Sequence, residues 1–385
     1  MQSPTIPRSK LPDVGTTIFS VIGDLAAKHQ ALNLSQGAPN FDCDSRLVDH
    51  AVDAMRTGRN QYASMTGLPA LREAISNKCE ALTGARYDAD DEVTVVASAS
   101  QGIYAAITGL VHPGDEVIYF DPAFDSYAPI VRLQGAIPVA LKLSVDGFRI
   151  PWDELAAAIN PRTRMIIVNT PHNPTATVFT GDDLDRLAAL TRNTEIVVLS
   201  DEVYEHVVFD GQLHHGVARH PELAARSVIV SSFGKCFHVT GWRVGYCLAA
   251  AALTVEIRKI HQFMMFAADT PMQYAFAAML ADESTYLGLS EFYQRKRDLL
   301  SEALAASRFE LLPSAGSFFM LARFRGFSRE SDSEFALRLI RDHRVATIPL
   351  SAFYSDGTDL GIIRISFSKD DATLLEGARR LCAVE

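Results

Sequence analysis

Between Glu92 and Ala250 the chain alternates short β-rich runs with helical stretches, and this alternation restricts the fold more than any other feature. The runs are VTVVAS, EVIYF, IPVALKL, MIIVNT, EIVVLS, SVIVSS and VGYCLA. Several are unbroken apolar stretches, as strands covered on both faces by helices require. The pattern predicts an open α/β sheet of seven strands, mostly parallel, in which ligands collect at the carboxyl ends of strands. Those ends read SAS, DPAFDSY, NTPHNPT, SDEVYEH and SFGK, and each is polar or carries an aromatic.

The flanks differ from this middle. Residues 1–34 read as an irregular arm followed by a short helix near Thr17–Gln30, and SQGAPNFD reads as a loop. Helices are expected from Ser45 to Arg59 and again after NQYASMTG. From Ala251 to about Ser307 the pattern is helical, broken near Asp269–Pro271, and amphipathic in its later part. The tail alternates FELLP, SFFMLARF, a helix around Ser333–His343, VATIPL, IIRISFS and a last helix from Asp370. The expected division is an arm over residues 1–44 that packs with the small domain, a large domain over 45–283, and a small C-terminal α/β domain over 284–385.

Composition narrows the class. Hydrophobic residues at 48% and charged residues at 21% suit a soluble globular protein. A formal charge of −10 argues against a nucleic-acid or anionic-membrane surface. The greasiest run, Cys247–Val255, is far short of a membrane span, and the N-terminus lacks the apolar core of a secretory signal. The five cysteines have no metal-ligand spacing and read as reduced thiols in a cytoplasmic protein, with no metal expected. Cys236 reads as a packed structural thiol.

The chemistry centres on Ser231–Tyr246, SSFGKCFHVTGWRVGY. Lys235 follows a β run and is flanked by Phe233, Phe237 and Trp242. An ammonium in such company is partly desolvated, which disfavours its charged form and makes a nucleophilic amine. The hydroxyl of Ser232 and the guanidinium of Arg243 suit a phosphate beside that amine. A lysine able to form a Schiff base next to a phosphate site suggests pyridoxal phosphate. Taken alone, a lysine is far more often a solvated loop residue, and what overturns that reading for Lys235 comes from elsewhere in the chain. The other strand ends add Asn173 between two prolines, and Asp201 and Tyr204 three apart after an apolar run.

Together the segments SQG-P-FD, NQYA-MTG, GDEVI-FDP, NTPHNP, SDEVYEH and SFGK-H-TGW-VGY resemble the class I/II aminotransferase family of fold-type I pyridoxal phosphate enzymes. They are most similar to the branch with bacterial methionine aminotransferases, kynurenine aminotransferases and glutamine transaminase K. The resemblance runs from near residue 10 to the C-terminus. It implies that Lys235 holds the cofactor covalently and then moves protons. Asp201 bonds the pyridine nitrogen, while Tyr204 and Asn173 bond the phenolic oxygen. Phe124 stacks on the ring. Ala99, Ser100 and Gln101 open a helix whose amides take the phosphate, together with Ser232 and Arg243. Tyr62 reaches that phosphate from a neighbouring subunit, which implies a homodimer with shared active sites. Arg364 and Gly37 receive the substrate α-carboxylate, and the arm residues Ile18 and Phe19 favour large apolar side chains. The sequence departs from the family at Ala38, Ser100–Gln101, Ala176 and Cys236, and none of these removes a catalytic group.

The activity implied is transfer of the α-amino group from an L-amino acid, methionine or another large apolar or aromatic one, to a 2-oxo acid. A β-eliminating C–S lyase would use the same lysine and cofactor. A non-catalytic amino-acid sensor of this fold is a third reading, although the chain begins in the arm, with no DNA-binding module ahead of it. A nicotinamide dehydrogenase is disfavoured, because no G-x-G-x-x-G follows a strand.

Overall fold

In the computed structural model, residues 8–385 are described. The first seven residues of the expected arm lie outside them. A two-residue strand β1 (Leu32–Asn33) precedes the main sheet. The seven expected runs form β2 (Val93–Val96), β3 (Glu116–Asp121), β4 (Ile137–Lys142), β5 (Thr163–Asn169), β6 (Val197–Asp201), β7 (Ser227–Ser232) and β8 (Gly245–Ala249). They lie in one sheet in the order β2-β8-β7-β6-β5-β3-β4. Pairings from β4 through β7 are parallel, and β8 is antiparallel to both β7 and β2. The Phe233–Val244 connection holds only the one-turn helix Phe233–Cys236 and no helix long enough to cross the sheet, so the chain returns antiparallel.

Alternating side chains send the strands into two cores, as a period of two requires. Met165, Ile167, Val197, Leu199, Val228 and Val230 pack on the face covered by the helices Ala99–Leu110 and Ala251–Met264. Ile166, Val198 and Ile229 face the other way, into a core continuous with the C-terminal part of the chain.

That part holds β9 (Glu310–Leu311), β10 (Phe319–Arg323), β11 (Val345–Ala346), β12 (Ile348–Pro349) and β13 (Ile362–Ser366). Four of them form an antiparallel sheet in the order β12-β13-β10-β9. The VATIPL run is split at Thr347, so that β11 pairs in parallel with β1 while β12 pairs with β13. The N-terminal segment continues along this sheet. Leu34 accepts a bond from the Ser366 amide at 2.8 Å, and the Asn40 amide donates to Asp370 at 2.6 Å.

The two sheets meet at the carboxyl ends of β5, β6 and β7, where β8 begins. Gly245 is pressed against the start of the helix Ala99–Leu110. A Cβ there would lie 2.6 Å from the Ser231 carbonyl oxygen and 2.9 Å from the Ala99 nitrogen. Both neighbours are backbone and cannot yield cheaply. Gly245→Ala is therefore expected to destabilise the fold by about 1–3 kcal/mol, read as a lowered Tm in thermal denaturation. A variant that melts with the wild type would contradict the contact.

Candidate active site

The strand ends surround a cavity of about 330 Å³, within the range of small-molecule sites. Asp201 is the last residue of β6, and its carboxylate is buried at the cavity wall. Its Oδ2 accepts a bond from the Tyr127 hydroxyl at 2.6 Å, and the Val203 amide lies 3.4 Å from Oδ1. Burial pushes the Asp201 carboxyl up to about 6. The Tyr127 and Val203 bonds oppose that rise, as does the charge of Lys235, while Glu202 adds to it.

Lys235 sits in the one-turn helix Phe233–Cys236 that follows β7, and Ser232 caps this turn by accepting from the Gly234 amide at 3.2 Å. Its Nζ donates to the Gly37 carbonyl at 2.7 Å and lies 5.6 Å from the centre of the Tyr204 ring. Burial, with the charges of Arg364 and Arg243 nearby, brings the Lys235 amine down to about 8. An amine so placed is about one-tenth neutral at pH 7, far more than an ordinary lysine, as a nucleophile or proton carrier needs. Cys236, its neighbour, is pushed up to about 12 by burial and is inert as a thiolate.

Arg364 lies in β13 between two neighbouring strands, opposite Leu321 and Ile348, and is 1% exposed. Its Nη1 donates to the Asn173 side-chain oxygen at 2.5 Å and its Nη2 to the Ser35 carbonyl at 2.8 Å. Its Nε has no partner among the described residues. Phe319, Phe353 and Phe19 surround the guanidinium with ring centres at 3.8, 4.8 and 5.3 Å. Burial draws it down to about 9, and no carboxylate among the described residues pairs with it. A buried cation so placed calls for an external anion.

A second set of anion donors lines the same cavity. Ser98 caps the helix Ala99–Leu110 with φ of 92°, and the Ala99 and Ser100 amides at its first turn have no intrahelical acceptor. Ser232 and Arg243 line the same end of the cavity.

The structure thus gathers Gly37, Ala99, Ser100, Phe124, Asn173, Asp201, Tyr204, Ser232, Lys235, Arg243 and Arg364 around one cavity. Three expected residues stand apart. The Gln101 side chain turns away, accepting from the Ala97 amide and meeting His261 at 3.0 Å. Ile18 begins its helix and packs into the core, while Phe19, one position on, faces the cavity. Tyr62 is 85% exposed, with its ring edge-on to Phe266. Ala176 takes a φ of 60°, a conformation easier for a glycine. Tyr127 was not singled out from the sequence. It opens the helix Tyr127–Leu133 and lies edge-on to Phe124, and its place in the strand-end segment DPAFDSY was the available signal.

A depressed amine, a buried carboxylate and two anion positions in one cavity define an enzyme that handles amino and carboxylate groups. The family model of aminotransferase class I and II matches residues 29–381, and the chain belongs to that family. It is 50% identical over 380 residues to a methionine aminotransferase of Escherichia coli, covering 98% of each chain. A crystal structure of YbdL from Escherichia coli, described as having a methionine aminotransferase function, superposes with a TM-score of 0.97 at 49% identity, covering 99% of this chain and 100% of that one. The N-succinyldiaminopimelate aminotransferase structure from Mycobacterium tuberculosis matches with a TM-score of 0.94 at 36% identity, over 98% and 99% of the two chains. A kynurenine–oxoglutarate transaminase of Dictyostelium discoideum is 31% identical, over 96% of this chain and 94% of that protein. The chain is therefore a fold-type I aminotransferase.

The Tyr127 bond favours the ionised form of Asp201. Tyr127→Phe removes it, so the carboxyl should titrate above the value near 6 expected for the wild-type apo-protein. Carbon-13 NMR of labelled aspartate in apo-protein reads this midpoint, and an unchanged midpoint would contradict the role of the bond.

Proposed function

We propose that the protein transfers the α-amino group of L-methionine, or of another large apolar or aromatic L-amino acid, to a 2-oxo acid, with pyridoxal phosphate as cofactor. The observation that carries this reading is the unpaired Arg364 guanidinium sharing one cavity with the depressed amine of Lys235.

The donor set fits the cofactor. The open amides of Ala99 and Ser100, the Ser232 hydroxyl and Arg243 suit a phosphate. Phe124 offers a ring face, and buried Asp201 offers a carboxylate for a protonated ring nitrogen. When bound, pyridoxal phosphate supplies a carbonyl for Schiff-base chemistry and a ring that takes up carbanion charge.

The residues of the chain then divide the remaining work. Arg364 binds the α-carboxylate of the substrate through its planar fork, and Asn173 holds one arm of that fork in place. Lys235, with its amine near 8, would take the proton from the substrate Cα in its neutral form and return it as an ammonium. Asp201 keeps a positive charge on the ring nitrogen by staying ionised, helped by the Tyr127 donor. Tyr204 is buried, and desolvation raises its phenol so that it remains a donor. Gly37 packs closely on Phe319, where a Cβ would meet the ring at 2.8 Å, and this brings its backbone to the cavity wall. Phe19 and Ala38 line the same cavity, giving an apolar wall and added width for a side chain such as that of methionine.

The exposed apolar group of Tyr62, Phe263 at 89% exposure, Met265 and Phe266 supports a homodimer in which a second copy covers this surface. Pairing of β1 with β11 supports an arm (1–44) that belongs with the small domain (284–385), set against a large domain over 45–283. Five free cysteines suit a cytoplasmic setting. No helix among the described residues is long and apolar enough to cross a membrane.

The test is the visible spectrum of the cofactor-loaded protein before and after L-methionine without a keto acid. The band should convert to that of the aminated cofactor, and Lys235→Ala should lose more than about a thousandfold in turnover. An unchanged spectrum, or pyruvate released from a cysteine conjugate instead, would overturn the proposal. Retained transamination in Lys235→Ala would overturn the assignment of the lysine.

A further inference from the structure

The strand ends that carry Asp201, Tyr204, Ser232 and Lys235 present a second set of side chains to the opposite side, away from the cavity. Glu205 follows Tyr204, and its Oε1 accepts three bonds: from Lys78 at 2.7 Å, from Ser231 at 2.7 Å and from Tyr246 at 2.6 Å. Lys78 also donates to the Tyr246 hydroxyl at 2.7 Å and lies 3.3 Å from His206 Nε2. Burial and the nearby ammonium bring His206 down to about 3, so it is a neutral acceptor, and the three protons of Lys78 have three acceptors. Attraction to Lys78 and the donated bonds hold the Glu205 carboxyl well below the usual range despite burial.

The bonds of this network are mostly internal: among the described residues only Glu205 Oε2 and His206 Nδ1 have no protein partner, and these two atoms alone define no ligand. Nor does fold stability call for the network, because a buried ion pair can often be replaced by well-packed apolar residues without loss. What it does have is position. Ser231 precedes Ser232 and sits opposite Tyr246 in the β7–β8 register, while Glu205 belongs to the turn after β6. The Ser231–Glu205 bond therefore ties the end of β7, which carries Ser232 and Lys235, to the turn that carries Tyr204. Lys78 anchors both to the helix Pro69–Thr83. Backbone bonds at the same level run from the Glu202 amide to the Val230 carbonyl and from the Glu205 amide to the Glu202 carbonyl. The side-chain network adds ties between the two loops beyond these, with the Ser231 hydroxyl also 3.5 Å from the Glu202 carbonyl.

We infer that Glu205, held by Lys78, Ser231 and Tyr246, is a positioning residue that sets the Lys235 amine against the Tyr204 phenol on the cavity side. It touches no reacting atom itself. Its effect passes through the backbone of its neighbours, where a displacement of about 1 Å can cost up to a hundredfold in rate. The inference rests on the proposed roles of Lys235 and Tyr204.

Glu205→Ala would strand the buried charge of Lys78 and could unfold the protein, so it is not the test. Ser231→Ala and Tyr246→Phe each delete one hydroxyl and leave the ion pair intact. Two readouts separate positioning from simple stabilisation. The first is kcat against KM in the L-methionine half-reaction at saturating cofactor. The second is the pH midpoint of the visible band of the bound cofactor, which a hydrogen bond donated by the Tyr204 phenol would hold down. Each variant is expected to melt cooperatively, to lose about tenfold in kcat with KM within about twofold, and to show the midpoint moved upward. Folded variants that match the wild type in kcat and in midpoint would overturn the inference, even if their Tm has fallen. A wild-type protein that shows no half-reaction at all would instead overturn the proposed function, so the two failures are distinguishable.

Discussion

A guanidinium buried without a carboxylate is the constraint on which the rest of this site depends. Arg364 lies in the interior of a four-stranded sheet, held by an amide oxygen, a carbonyl and three aromatic rings. Neutral acceptors and ring faces reduce the cost of burying the charge without neutralising it. The surplus is maintained by neighbours from distant parts of the chain: Phe19 and Ser35 near the N-terminus, Asn173 after β5, and Phe319 and Phe353 near the C-terminus. The same charge helps to lower the Lys235 amine, so the feature that receives the substrate carboxylate also readies the reacting group.

The architecture explains why such distant residues converge. Parallel strands end together, and the turns after β5, β6 and β7 place Asn173, Asp201, Tyr204 and Lys235 along one rim. β8 reverses direction and brings Gly245 against the helix whose open amides form the other anion position. The C-terminal sheet supplies Arg364 across the gap, and the N-terminal segment runs along that sheet through Leu34 and Asn40. Each polar group on the rim is backed by another: Tyr127 behind Asp201, Asn173 behind Arg364, and the Lys78–Glu205 pair behind the turn of Tyr204. Rigid backing of this kind lets a catalytic group keep its geometry without a bound partner.

Much of this was legible in the sequence because it rests on local rules. Seven β-rich runs gave seven strands, since period-two burial and turn chemistry are written residue by residue. The strand-end motifs carried the family, and the cavity collects most of the residues those motifs named. What escaped depends on tertiary contact. The splitting of VATIPL at Thr347 follows from two different pairing partners. Phe19 rather than Ile18 faces the cavity because helix rotation is set by packing. Gln101 turns toward His261, a residue 160 positions away in sequence. Tyr127 and Glu205 stand inside the quoted strand-end segments DPAFDSY and SDEVYEH, but their roles lie in what they touch, and Lys78 lies outside every such segment.

The most direct measurement is a crystal structure of the cofactor-loaded enzyme with 4-(methylthio)butanoate, which is methionine without its amine and cannot react. The account predicts its carboxylate on the fork of Arg364, with the thioether toward Phe19 and Ala38. A carboxylate seated on Arg243, or anywhere that leaves the Arg364 guanidinium without an anion, would contradict it.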